Sequence, residues 1–385
     1  MISRNVLLLT GSIAVIGANS LVLSPIASSV AASFSGVDAA GVMTAAAIYG
    51  LATAASALTL ASVADRIGAE RALVRALLIL VVALAVAALS PTLVVLCLAQ
   101  GLAGLAAGTA LPAIYTLAAQ VAEKGRESET LGVVLTGWTL SLVAGVSLSA
   151  VMADIVHWRA VFAVLALGAA GLAIGVGRSK AWGMAVRATV PTSPLTALRV
   201  PGIKAALLNV AAYMTAFYGL YTYLGPHLGE SLRLPTTFAG LATFAYGMGF
   251  GLAAPLGRLI DRYGMLTAAV VTFAGLTLVY LGMAAASGMP AILLVLCVAW
   301  GLANHIGLNL IVRGLTELDP SQRGAIMGLY STITYLCVFA GALLYRPLFA
   351  YFGFAACALV SAACIVPALG WSFSRLPPRM AQEGS

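Results

Sequence analysis

Charge is what this sequence has least of. Only 8% of its 385 residues are Asp, Glu, Lys or Arg, while 62% are hydrophobic. That balance lies outside the range of soluble globular domains, so water is not the chain's main solvent. A Gly-rich Lys loop of the Walker type is missing, and with it any means of coupling nucleotide hydrolysis to movement. No stretch like TVGYG points to a potassium filter. The five cysteines, Cys97, Cys297, Cys337, Cys357 and Cys364, fall inside apolar runs without metal-ligand spacing and read as small hydrophobic packers. Paired carboxylates, a metal cluster and an activated nucleophile are all missing at depth, so neither an enzyme nor a cofactor is expected.

What is present is a series of apolar runs, each long enough to cross a hydrocarbon core of about 30 Å as a helix. Twelve are read, over 5–31, 38–62, 72–90, 92–120, 130–153, 158–177, 204–229, 236–257, 265–286, 289–313, 323–345 and 348–373. The start, MISRNVLLLTGSIAV, is too long and too apolar for the core of a signal peptide and reads as a retained first helix. Of the 20 Lys and Arg, only Arg159, Arg233 and Arg346 fall outside when the N-terminus is placed inside. This positive-inside bias predicts both termini in the cytoplasm of a bacterial inner membrane. The formal net charge of +8 then belongs to a face near anionic lipid and calls for no nucleic acid.

The pattern breaks once, at 178–203, where RSKAWGMAVRATVPTSPLTALRVPG is basic and dotted with proline. The expected organisation is a six-helix bundle over 1–177, a cytoplasmic linker over 178–203, a second six-helix bundle over 204–374 and a tail over 375–385. The halves repeat one another. VLCLAQGLA at 95–103 recurs as VLCVAWGLA at 295–303, and Asp65, Arg66 and Gly68 recur as Asp261, Arg262 and Gly264. Arg126, Gly132 and Gly145 pair more loosely with Arg323, Gly328 and Gly341. Duplicated bundles with a site between them are a recurrent plan among secondary transporters.

The loop after the second run resembles the G-x-x-x-D-R-x-G-x-x-R signature of the major facilitator superfamily. Asp65, Arg66, Gly68 and Arg71 are in place, and Ala61 stands at the first Gly. The second half supplies Gly257, Asp261, Arg262 and Gly264. Within that superfamily, LGVVLTGWTLSLVAGVSLSAVMADIVHWRAVF and YTYLGPHLGESLRLP look like the drug:proton antiporter branch, including its arabinose-efflux and sugar-efflux permeases. Two positions depart from that branch: Cys97 replaces the Arg of R-x-x-Q-G, although Gln100 and Gly101 remain, and Ser147 replaces the Pro of G-x-P. Both leave the branch's proton antiport open.

The resemblance implies an all-α membrane protein of twelve helices in two pseudo-symmetric bundles. It also implies a latch in which Asp65 meets the start of the eleventh helix near Gln322 and Arg323, and Asp261 the start of the fifth near Glu129, with Arg66, Arg71, Arg126 and Arg262 close by. Independently of any family, a short turn needs Gly for φ > 0, and an Asp there can face a helix N-terminus. The simpler alternative is a pair of solvated turns.

By the same resemblance the first, fourth, seventh and tenth helices line a central cavity. They carry Asn19, Gln100, Tyr115, Asn209, Tyr213, Tyr218, Tyr221, Trp300, Asn304, His305 and Asn309, polar groups that are costly against lipid and are therefore expected to bind substrate. His305, Asn309 and Arg313 recur every four residues and share one helix face. The repeat places Leu105 opposite His305 and Gly104 opposite Asn304, so the second half has acquired this polarity. An imidazole that ordinarily titrates near pH 6.5 makes His305 the buried candidate for carrying a proton; the alternative is a structural hydrogen bond between helices.

With no buried acid, the cargo expected is a small neutral or amphipathic molecule, such as a sugar, an amino-acid-like metabolite or a drug. The expected activity is export by alternating access with proton antiport, carried out by a monomer in the bilayer. Uptake or uniport is one alternative, and a transport-inactive receptor or scaffold is another.

Overall fold

The computed structural model describes residues 3–60, 67–123, 126–179, 182, 194–253, 256, 264–319 and 322–374, with side chains described up to residue 367 except at 127–129. Among them the regular structure is entirely helical. Ten helices are long and apolar enough to cross a membrane, the last running from Arg323 to Pro367. That last one is two crossings, because Gly353 at φ 74° interrupts it, and the seventeen-residue helix Thr236–Leu252 adds another. Twelve crossings result, as the sequence predicts.

In order they are Arg4–Leu21 with Leu23–Ala31, Ala39–Thr59, Ala69–Leu89, Leu93–Val121, Glu127–Leu140 continuing to Ile155, Trp158–Arg178, Ile203–Pro226 continuing to Ser231, Thr236–Leu252, Met265–Ala285, Pro290–Leu318, and the two parts of Arg323–Ser374. An even number returns the chain to the face it started from. Arg4 and Ser374 therefore share one face, called here the terminal face, and the turns after Ala31, Ser231 and Ala285 lie on the opposite face.

Local chemistry sets the boundaries. Ser3, Asp38 and Thr92 each accept a backbone N–H from the first turn of the helix they precede, which satisfies one of the donors that every helix start leaves open. The third and ninth crossings begin after Gly68 and Gly264, at φ 90° and 84°. Equivalent glycines of the two repeated loops thus take the same left-handed backbone, which side chains resist.

Two crossings loosen into π turns. In the fifth, Ser141–Val146 widens just before Ser147, whose hydroxyl donates to the Leu142 carbonyl. In the seventh, His227–Ser231 follows Pro226, which has no N–H to continue the α-helical ladder.

Packing follows the repeat. The second crossing lies against the fourth as the eighth lies against the tenth. A Cβ at Gly104 would run into the Tyr49 carbonyl, so the second and fourth crossings approach more closely there than any other residue allows. Gly171 shows the contrast: a Cβ there meets nothing. Two hydrophobic cores form. One is drawn almost wholly from the first six crossings and is joined by Tyr335 and Val338. The other is drawn from the last six and from Ala197 and Val200 just before them, and is joined by Leu21, Ala40, Leu142 and Val146 of the first half. Those few exceptions mark where the halves meet, at the second with the eleventh crossing, the fifth with the eighth, and the first with the seventh. Large apolar side chains such as Leu98, Leu167, Leu208, Val271 and Leu278 point outward, as a lipid-facing belt requires.

Candidate functional site

The polar residues picked from the sequence separate into three groups. The first is bonded internally. Asn19 Nδ2 donates to Gln100 Oε1 at 3.1 Å and Gln100 Nε2 donates to Asn19 Oδ1 at 3.2 Å, both side chains being buried. This reciprocal pair of amides clips the first crossing to the fourth. Asn304 does the same in the second half. It donates to the Tyr246 hydroxyl at 3.2 Å and accepts from the Tyr213 hydroxyl at 3.0 Å, which also reaches the Asn304 carbonyl at 2.7 Å. Trp300 is fully buried and donates to the Tyr280 hydroxyl at 3.1 Å. Around it stand Phe217 and Tyr246, with ring centroids 5.4 and 4.9 Å away. Tyr221 donates across the molecule to the Leu21 carbonyl at 3.1 Å.

The second group stays open. His305 is half-buried, its ring set edge-on against Phe250 at 4.6 Å and its Nδ1 without a partner. Further down the same helix face Asn309 and Arg313 are exposed, and Arg313 Nε pairs with Glu317 at 3.0 Å. The predicted stripe exists and becomes more exposed toward the terminal face. Tyr115, Asn209 and Tyr218 are half-buried, with Tyr218 edge-on to Phe217 at 4.8 Å.

The third group consists of buried hydroxyls. Ser20 Oγ, the Tyr49 hydroxyl and Thr334 Oγ1 are buried and without a partner. Tyr49 lies beside Ser20 and Thr53, outside hydrogen-bonding geometry with either. Its ring meets Tyr335 of the other half edge-on at 6.3 Å. These atoms belong to the first, second and eleventh crossings, so the rule of first, fourth, seventh and tenth passes over two of the three. A buried hydroxyl left unpaired costs about 1–3 kcal/mol, and a site that binds polar molecules is where that cost finds a use.

The repeat explains the asymmetry between halves. Tyr49 and Tyr246 occupy corresponding crossings, the second and the eighth. Tyr246 receives its hydrogen bond from Asn304. In the first half the position matching Asn304 is Gly104, which supplies no amide and is pressed against the backbone carbonyl of Tyr49 instead. The Tyr49 hydroxyl is left without a donor.

Of the latch residues, Asp65, Arg66, Gly257, Asp261 and Arg262 lie outside the described residues. Arg71 is exposed on the third crossing. Arg126 meets Glu123 at 3.0 Å, Arg323 Nε donates to the Thr316 carbonyl at 3.3 Å, and Gln322 donates to Asp319 at 2.8 Å. These contacts stay within one half. The described carboxylates all sit near crossing ends, at Asp38, Glu70, Glu123, Asp154, Glu230, Glu317 and Asp319. No group of three or more His, Cys, Asp or Glu suited to a metal ion occurs among the described residues.

Comparison with known proteins agrees with this architecture. The family profile described as Major Facilitator Superfamily matches residues 8–342. The MFS-type transporter YwfA of Bacillus subtilis (strain 168) is 26% identical over 367 residues, covering 94% of this chain and 89% of the relative. A protein named "Probable sugar efflux transporter" from Pasteurella multocida (strain Pm70) is 26% identical over 273 residues, 68% of this chain and 67% of its own. A chloramphenicol resistance protein of Streptomyces lividans is 30% identical over 233 residues, 58% and 59% of the two chains. Among solved structures, the human organic anion transporter MFSD10 (TETRAN) superimposes with a TM-score of 0.72 at 17% identity, covering 96% of this chain and 99% of that one. At that identity the likeness is one of fold.

Proposed function

The chain belongs to the major facilitator superfamily and is a multi-pass membrane transporter of small molecules, and from that premise we propose that it exports a small neutral or amphipathic organic molecule by alternating access. In this reading the six-crossing halves divided by the linker at 178–203 rock about a chamber between them, with the terminal face in the cytoplasm of a bacterial inner membrane. The positive-inside bias supports the orientation. The names of two relatives, one a sugar efflux transporter and one a chloramphenicol resistance protein, support export.

The observation that carries the cargo class is a set of neutral polar atoms that are buried in the bundles without a partner. Ser20, Tyr49 and Thr334 offer hydroxyls, and His305 offers an imidazole nitrogen, beside the rings of Tyr335 and Phe250. Hydroxyls donate and accept alike, so they suit a cargo with its own hydroxyl, amide or carbonyl groups, and the rings cover its apolar parts. A strongly cationic cargo would need a carboxylate at that depth. His305 is the proposed proton carrier, and Asn309 and Arg313 line the way to the terminal face.

Cys97, which takes the place of the expected Arg, keeps one alternative in play: a carrier driven by the cargo gradient alone. Flux measured in proteoliposomes with and without a protonophore separates the two. Antiport requires that collapsing the proton gradient abolish concentrative movement and that His305→Ala do the same. Concentrative movement that survives both changes would remove proton coupling from the account.

A further inference from the structure

Among the described residues, hydrogen bonds between the two halves lie toward the face opposite the termini. Ser24 Oγ donates to the Tyr221 carbonyl at 2.6 Å, and Ser29 meets Thr236 at 2.7 Å. The Ala39 N–H donates to Glu230 Oε1 at 2.6 Å and the Thr237 N–H to Asp154 Oδ2 at 2.6 Å. Arg346 approaches Asp38 at 4.0 Å. These contacts obey the repeat. The end of the first crossing meets the start of the eighth through Ser29 and Thr236, as the end of the seventh meets the start of the second through Glu230 and Ala39. The end of the fifth meets the start of the eighth through Asp154 and Thr237, as the end of the eleventh meets the start of the second through Arg346 and Asp38.

Glu230 and Asp154 stand out among these. Each carboxylate belongs to one half and accepts from the first turn of a helix in the other, where backbone N–H groups lack helical partners and the helix dipole favours negative charge. At 2.6 Å both are short, charge-assisted bonds. All three acids of this face, Asp38, Asp154 and Glu230, therefore lie on the boundary between halves, although they are spread over distant parts of the chain.

We propose that Glu230 and Asp154 are the fasteners of a gate that holds this face shut, each capping a helix of the opposite half, so that opening the face requires both caps to be released. The proposal rests on the alternating-access reading and is independent of the cargo and of the direction of transport. Ser29 with Thr236 adds a neutral bond. The ion pair of Asp38 with Arg346, at 4.0 Å and about half exposed, adds little. Asp38 is engaged instead in capping its own helix at Gly41 N, 2.7 Å away.

The test follows the two faces in the absence of cargo. Ser35 and Gly288 are exposed on this face, one in each half, and a Cβ at Gly288 meets nothing. Spin labels on Ser35→Cys and Gly288→Cys report its opening, with the unsubstituted chain as the background for the five native cysteines. Glu230→Gln and Asp154→Asn keep the shape and weaken the cap; Glu230→Ala and Asp154→Ala remove it. Each alanine is expected to raise the ratio of open to shut faces about fivefold, the two together roughly twenty-five-fold, with the amides between these and the parent. Ser29→Ala provides a milder third variant whose fold is the least disturbed, expected to shift the ratio in the same direction by less. Distance distributions that stay at the parental position in folded alanine variants would overturn the proposal, and so would amides that act as strongly as alanines. Distances that shift as expected in a chain that neither binds nor moves cargo would count against the proposed chamber and leave the gate standing.

Discussion

Tyr49→Phe removes a single oxygen, and the structure specifies what should happen to folding and to binding separately. The side chain is 1% exposed and its hydroxyl has no partner. The ring keeps its contact with Tyr335 at 6.3 Å, which the substitution leaves in place. Since no hydrogen bond is lost within the protein, the unliganded chain should be no less stable, and it gains up to about 1–3 kcal/mol if the hydroxyl is dry. Cargo that pairs with this hydroxyl loses one neutral hydrogen bond, worth about 1 kcal/mol, or about a fivefold weaker Kd. Asn304→Leu should do the reverse. It strips Tyr246 of its donor and Tyr213 of one of two acceptors, lowering stability by roughly 1 kcal/mol, the size of a hydrogen bond between helices in a membrane. Thermal unfolding of purified protein, with and without compounds selected from a panel of sugars and chloramphenicol, reads both quantities. A Tyr49→Phe protein that melts well below the parent and binds as the parent does would show the hydroxyl to be structural and refute the reasoning. So would an Asn304→Leu protein that melts as the parent does and no longer responds to any compound.

Other outcomes follow from the same contacts. Asn19→Leu and Gln100→Leu remove the two ends of one buried pair, so each should destabilise the chain and the double substitution should cost less than the sum, a non-additivity that a double-mutant cycle on the melting curves would show. A Cβ at Gly225 would overlap the Ser24 carbonyl of the other half; Gly225→Val should hold the face opposite the termini apart and arrest turnover while the protein still reaches the membrane, and normal flux would contradict the close approach. His305→Ala should lower stability only by the lost ring contact with Phe250, about 1 kcal/mol, because Nδ1 has no partner to lose, and should remove the dependence of flux on external pH; a much larger drop in stability would point to a structural histidine.

The twelve crossings were legible because each needs about 20 apolar residues, which composition alone displays. Their pairing into halves was legible because the Asp-Arg-x-Gly sequence repeats, and Gly68 and Gly264 have like dihedrals. Helix ends were less so. Pro290–Leu318 continues past the apolar run that stops near residue 313, since amphipathic turns beyond the lipid still hydrogen-bond. For the site, residue type named candidates without showing which are already bonded. Asn19, Gln100 and Asn304 are as polar as any group in the chain, yet they spend that polarity on one another and on tyrosines. Sequence marks which groups need a partner; only the fold shows which have found one. Tyr49 and Thr334 look unremarkable in an apolar run and are left unpartnered in the fold. The carboxylates of the gate were visible as acids near crossing ends, but the helix each one caps lies far away in the chain.

Ser29 and Thr236 give the most direct test of the central claim, that cargo passes through a chamber exposed alternately as the halves rock. Their hydroxyls are 2.7 Å apart across the two halves, close enough for a disulfide in a Ser29→Cys, Thr236→Cys chain. Counterflow of a bound compound in proteoliposomes should stop on oxidation and return on reduction. Undiminished counterflow through the locked protein would contradict the account.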